Sequence, residues 1–174
     1  MTIKVKDIPP GGLALELNQK LDLFDTGTAS TAFQAAVTIQ PTGDGSFHIS
    51  GRVQADPVLE CSRCLKQFLH AVDSRFSLDV SPLSAMDKTP ERELTSGELE
   101  IEYYQGDELE PLDIIKEQVL ISIPMVPVHS PACKGLCPVC GTDLNNGVCG
   151  CRREGPEGFG PFSDLKDVFK KKKE

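Results

Sequence analysis

The chain has 174 residues, seven cysteines, no tryptophan and a formal charge of −8. That length carries one hydrophobic core plus a small appendage, so folding need not depend on cross-links. No apolar run approaches the roughly 20 residues that span a bilayer, and MTIKVKDIPPGG lacks the charged-then-apolar pattern of a signal peptide, so a soluble cytoplasmic protein without a membrane partner is expected.

The N-terminal stretches TIKVKDI and LALELN, on either side of Pro9-Pro10-Gly11-Gly12, read as short strands around a turn. AFQAAVTIQ (32–40) and SFHISGRVQA (46–55) are strands joined through PTGDG, a hairpin connection. In the second, Phe47, Ile49, Gly51 and Val53 share one face and His48, Ser50, Arg52 and Gln54 the other, the pattern of a half-buried strand. Next, C-x2-C (Cys61, Cys64) sits at a turn between two strands, the second alternating through Phe76, Leu78 and Val80. Residues 81–97 have the composition of a loop, and 98–106 alternate again as a strand. Over 111–123, Pro111 at the first helical position and apolar Leu112, Ile115 and Val119 predict one helix, stopped before Pro124. From 127 the composition turns to Cys and Gly, and after a Gly/Pro linker Phe162, Leu165, Val168 and Phe169 share a face of a short amphipathic tail helix with Ser163 as a cap. These elements predict a β-rich α+β fold, a curled antiparallel sheet or partial barrel with one main helix and a C-terminal zinc knuckle. The expected divisions are 1–126, 127–153 and 154–174.

Charge is distributed unevenly. Residues 87–117 hold eleven acidic and three basic side chains, so the rest of the chain is balanced. The acidic stretch reads as a solvated loop or as a surface offered to a basic partner. Basic residues beside the cysteines, Arg52, Arg63, Lys66, Lys134, Arg152 and Arg153, are the nucleic-acid-binding candidates, since a fixed scaffold could use counterion release. The lysine tail 170–173 reads as a solvated end. Stacking aromatics are scarce, which argues against a single-strand platform.

An odd number of cysteines in a reducing compartment points to metal ligation instead of disulfides. In CPVCGTDLNNGVCGC, a C-x2-C pair (Cys137, Cys140) is followed after eight residues by C-x-C (Cys149, Cys151). Two close pairs brought together by a turn at Asn145-Asn146-Gly147 suit tetrahedral Zn²⁺, with Gly141 letting backbone amides face the sulfurs. An iron–sulfur cluster is the alternative occupant. Cys61, Cys64 and Cys133 are left over, and with His129 they supply a second set of four ligands. Other assignments stay open: a redox-idle buried pair, a thiol oxidoreductase using Cys61 and Cys64, pairing of Cys61–Cys64 with Cys137–Cys140, or exchange of roles between Cys133 and Cys137. Four thiolates close a coordination sphere, which favours a structural zinc site, and none of the three histidines lies in a nucleophile motif, so no enzyme and no small-molecule substrate are expected.

CSRCL at 61–65, the stretch ending ISIPMVPVHSPAC, CKGLCPVCGTDLN with the closing CGC, and PFSDLKDV together resemble the bacterial YceD family, also described as DUF177. The resemblance makes Cys61, Cys64 and Cys133 part of the family's pattern, although some members carry a cysteine where His129 stands and some lack the CPxCG knuckle. It implies a non-enzymatic cytoplasmic factor needed for accumulation of large-subunit ribosomal RNA, acting through RNA or a ribosomal protein. The rival reading is a protein-interaction adaptor without direct RNA contact.

Overall fold

The computed structural model describes residues 1–24, 30–85 and 101–151. Strands β2 (Leu13–Leu21), β3 (Thr31–Gly43), β4 (Ser46–Ala55), β7 (Val72–Pro82) and β8 (Ile101–Tyr104) form one open sheet in the order β2-β3-β4-β7-β8. The first four are antiparallel neighbours, and β8 runs parallel to β7, a departure from the all-antiparallel expectation. The sheet does not close into a barrel. Beside it, β1 (Ile3–Lys4) pairs with β9 (Glu108–Leu109), and β5 (Val58–Glu60) with β6 (Gln67–Leu69).

Alternation decides the faces. Phe33, Ala35, Val37 and Ile39 of β3 are buried together with Phe47, Ile49 and Val53 of β4 and Val72, Phe76 and Val80 of β7. The register sets Ile39 opposite Ile49 and Ile49 opposite Leu78, so the central cross-strand row is apolar on this side. Gly51 leaves room for the Phe76 ring, because a Cβ there would stand 2.9 Å from Phe76 Cζ. The opposite face carries Gln34, Arg52, Gln54, Asp73 and Arg75 to solvent.

Helix α1 (Pro111–Ser122) covers the apolar face, burying Ile114, Ile115 and Val119 against β4 and β7. Pro111 begins it and Asp113 favours its positive end. Its stop follows from Pro124, which drives Ile123 to an extended conformation (φ −78°, ψ 127°).

Several sequence expectations shift at their edges. TIKVKDI is a strand only over Ile3–Lys4, followed by a single 3-10 turn at Val5–Asp7. Strand β7 continues through Pro82 into a second such turn at Leu83–Ala85, where a loop was expected from 81. The acidic stretch is structured from 101 onward as β8, β9 and α1, and burial followed by repulsion from Glu117 and Asp113 raises the Glu102 pKa above the usual carboxylate range. Residues 86–100 and the tail helix expected at 162–169 lie outside the described residues.

Candidate metal centres

The β5–β6 hairpin carries Cys61 and Cys64 at its tip, and the chain after α1 folds onto it. The Ser62 N–H donates to Pro127 O at 2.8 Å and the Leu136 N–H to Arg63 O at 3.0 Å. Arg63 Nη1 donates to Cys133 O at 3.0 Å and Pro131 O at 3.3 Å. Cys61, Cys64 and Cys133 are thereby buried together with Phe68, Val128 and Leu136 around them.

Both C-x2-C motifs adopt the same backbone. In residues 61–66 the Cys61 N–H donates to Lys66 O (2.9 Å) and the Leu65 N–H returns to Cys61 O (2.9 Å). In residues 137–142 the Cys137 N–H donates to Thr142 O (2.8 Å) and the Gly141 N–H to Cys137 O (2.9 Å). The fifth residue of each is left-handed, Leu65 at φ 60° and Gly141 at φ 73°. Amides then point at sulfur in matching fashion: those of Arg63 and Cys64 at Cys61, of Val139 and Cys140 at Cys137, of Lys66 at Cys64 and of Thr142 at Cys140. Such donors favour the thiolate, the form that binds metal.

The ligand atoms converge into two sets. In the inner one, Cys61, Cys64, His129 and Cys133 place their donor atoms within 4.8 Å of one another. Cys61 and Cys133 sulfurs are 3.8 Å apart, and His129 Nδ1 is 3.4 Å from Cys61 Sγ and 3.5 Å from Cys64 Sγ. A tetrahedral zinc with Zn–S near 2.3 Å and Zn–N near 2.0–2.1 Å requires S···S edges of about 3.8 Å and S···N edges of about 3.5 Å. These donors and spacings fit such an ion. In the outer set, Cys137, Cys140, Cys149 and Cys151 also lie within 4.8 Å of one another. A multi-iron cluster spreads its cysteines around several metal atoms, so convergence this tight favours a single ion in each set.

Crowded thiols push one another's pKa values apart. Burial raises Cys61, yet the backbone and side-chain hydrogen bonds of His129, with the Arg63 and Cys64 amides, outweigh it and bring the thiol down to about 5. For Cys64 the Lys66 amide lowers the value, but burial and the Cys133 and Cys61 sulfurs push it up to about 11. The Thr142 hydroxyl, 3.2 Å from the Cys140 sulfur, and the Thr142 amide lower Cys140 to about 6, while Cys151 beside Cys140 rises to about 12. Anionic sulfurs forced together in this way are what a divalent cation stabilises.

The structure thus brings all eight sequence-predicted ligands into two sets of four, with the C-x2-C pairs kept apart. The basic candidates fare differently. Arg52 stands on the solvent face of the sheet and forks onto Asp73, its Nε donating to Oδ1 at 2.7 Å and its Nη2 to Oδ2. Arg63 is engaged by the two carbonyls already named, and Lys66 and Lys134 extend into solvent beside the inner set. Arg152 and Arg153 lie outside the described residues.

Two features escaped the sequence. Leu65 takes the left-handed position that glycine fills in the other knuckle, which no propensity signals. Across strands β4 and β7, His48 Nδ1 meets Asp79 Oδ1 at 2.7 Å and His48 Nε2 meets Ser77 Oγ at 3.1 Å. These are the residue types of an acyl-transfer triad. The His48 and Asp79 side chains are 39% and 62% exposed on an open sheet face, which does not exclude water as acyl-transfer chemistry requires.

The profile of the family described as "Large ribosomal RNA subunit accumulation protein YceD" matches residues 49–169. The chain belongs to the YceD family. Among curated proteins it is similar to the chloroplastic YCED homolog 1 of Arabidopsis thaliana, 35% identical over 37% of this chain and 22% of that protein. An uncharacterised protein of Mycobacterium tuberculosis is 33% identical over 55% of this chain and 44% of its own length. The Large ribosomal RNA subunit accumulation protein YceD of Haemophilus influenzae is 27% identical over 47% of this chain and 45% of its own. The chain therefore spans less than half of each of these relatives. No solved structure matches it. Among the described residues no helix is long and apolar enough to cross a membrane.

Proposed function

We propose that the chain is a non-enzymatic zinc-binding factor in the accumulation of large-subunit ribosomal RNA, holding two structural zinc ions that fix a lobe for contact with RNA or a ribosomal protein in the cytoplasm. The observation that carries this reading is the convergence of eight ligands into two four-donor sets, the inner one with S···S and S···N edges that fit tetrahedral zinc. The family description, and the names of the Arabidopsis and Haemophilus relatives, supply the ribosomal RNA context. With four protein donors each, neither set leaves a position open for the water that zinc hydrolases activate. Elemental analysis of the reduced full-length chain should give two zinc per chain; a metal-poor chain with the same fold would sink the reading. Direct RNA contact by the lobe requires affinity for ribosomal RNA to fall steeply from low to physiological salt, and a flat response would remove it.

The adaptor reading has its own support. Val58 and Leu69 face each other across the β5–β6 hairpin with 51% and 68% of their surfaces exposed, and Met125 and Val126 are exposed in the segment that joins it. Exposed aliphatic groups of this kind favour a protein partner over a phosphate backbone. A thiol oxidoreductase is disfavoured because Cys61 and Cys64 are buried, where a disulfide substrate has no access.

A further inference from the structure

Asn145 belongs to the stretch linking Cys140 to Cys149, yet its side chain reaches onto a ligand of the inner set. Its Oδ1 accepts the Lys134 N–H at 2.8 Å, which fixes the amide's orientation and turns Nδ2 toward the Cys133 sulfur, 3.6 Å away. Asp143 Oδ1 steadies the same residue, accepting from the Asn145 backbone N–H at 2.9 Å and from Nδ2 at 2.6 Å. The neighbouring Leu144 is buried and donates its N–H to Gly135 O at 2.9 Å. The placement of this donor therefore depends on the shape of the loop 141–148. Both flanking cysteines of that loop are ligands of the outer set.

Building on the zinc-binding reading above, we propose that Asn145 couples the two centres. Metal held by Cys137, Cys140, Cys149 and Cys151 fixes the loop that presents the Asn145 amide to Cys133, and this tightens metal binding by Cys61, Cys64, His129 and Cys133. The physical basis is twofold. An N–H donor to a ligating thiolate stabilises its charge, as hydrogen-bonding partners of metal ligands generally do. Closing the loop at both ends removes the entropy cost of ordering it for each encounter with Cys133. Linkage makes the coupling reciprocal: metal in the inner set must strengthen the outer one by the same factor. Asn145 is a positioning residue, acting through the Cys133 sulfur.

The test uses the full chain, with zinc affinities from competition against a chromophoric chelator and cobalt(II) as a spectroscopic probe. Asn145→Asp keeps an oxygen for the Lys134 N–H and replaces the donor facing sulfur, while Asn145→Ala removes both without adding charge. Either should weaken the inner centre by about 10–100-fold and move its sulfur-to-cobalt charge-transfer band to lower energy. In a Cys140→Ser/Cys149→Ser background the inner centre should already be weaker, and the Asn145 substitutions should change it by no more than about twofold. Equal effects in both backgrounds, or none in either, would overturn the coupling. A wild-type chain binding fewer than two ions would overturn it together with the zinc-binding reading, and stoichiometry shows this before any variant is compared.

Discussion

Gly135 and Gly141 share a φ of 73° and differ in what a side chain would meet, so a methyl group added at each separates strain from collision. At Gly141 nothing lies within 4 Å of the added Cβ, and Gly141→Ala carries only the left-handed penalty, about 1–2 kcal/mol. That weakens the outer centre by about 5–30-fold. At Gly135 the Cβ would stand 2.9 Å from Arg63 O, the same carbonyl that accepts the Leu136 N–H. The segment holding Cys133 must then move away from the first knuckle. Losing that hydrogen bond adds about 1 kcal/mol to the strain. The total of about 2–3 kcal/mol lowers inner-centre affinity by about 30–150-fold. Chelator competition on the two single variants reads both numbers. Inner affinity within threefold of wild type for Gly135→Ala, or a larger loss from Gly141→Ala than from Gly135→Ala, would refute the contact between segments as the force assembling the inner set.

Three shorter expectations accompany it. Ile115, on the sheet-facing side of α1, is fully buried, so Ile115→Ala should cost about 2–5 kcal/mol in urea unfolding, and a loss below 1 kcal/mol would mean α1 does not cap the sheet. Arg63→Ala, by releasing the Pro131 and Cys133 carbonyls, should weaken inner metal binding by about tenfold while Lys66→Ala leaves it unchanged. Equal effects of the two variants would contradict a structural role for Arg63. The guanidinium of Arg52, by hydrogen bond and charge, and then Gln54, hold the Asp73 carboxyl below the usual range. A depressed folded-state pKa stabilises above the unfolded value of about 3.9 and is lost as pH falls through the folded one, so the urea midpoints of wild type and Asp73→Asn should converge in acid. Because the pair is exposed the difference at neutral pH is small, and divergence in acid would reverse the sign of the argument.

Local periodicity carried most of the sheet. The β3–β4 turn is only Asp44-Gly45, because β3 runs on with a bulge through Pro41–Gly43 of the expected PTGDG connection, and alternation through Phe47, Ile49 and Val53 names the buried face because a strand's side chains repeat every two residues. The Pro111 start and Pro124 stop bracketed α1 for the same local reasons. Ligand grouping was legible only in part. Spacing gives Cys137, Cys140, Cys149 and Cys151, whereas the partner of Cys61–Cys64 lies 65–72 residues away, and only tertiary packing through Arg63, Pro127 and Leu136 decides it. Parallel pairing of β8 with β7 was hidden because alternation is the same for either strand direction. The role of Arg63 was misleading in sequence: a cation beside cysteines reads as a phosphate contact, and here its nitrogen is taken by main-chain carbonyls.

The two centres should differ in how they support the rest of the molecule, because they close loops of unequal length. The inner set joins Cys61 to Cys133, 72 positions apart, and the enclosed chain includes β7, β8 and α1. The outer set spans only 137–151, a loop about five times shorter, and encloses none of the sheet. Loop-closure entropy grows as (3/2)RT ln n, so metal in the inner set should restrict the unfolded chain by about 1.4 kcal/mol more than metal in the outer set. Serine at Cys133 and at Cys140 removes one ligand from each set, and each variant should lose about one zinc equivalent per chain. Far-ultraviolet circular dichroism in urea should show the sheet transition moving much further to lower denaturant in Cys133→Ser, which loses the inner ion, than in Cys140→Ser, which only weakens it. Equal shifts in the two variants would mean that the outer lobe is part of the cooperative core and that its metal does more than shape a surface.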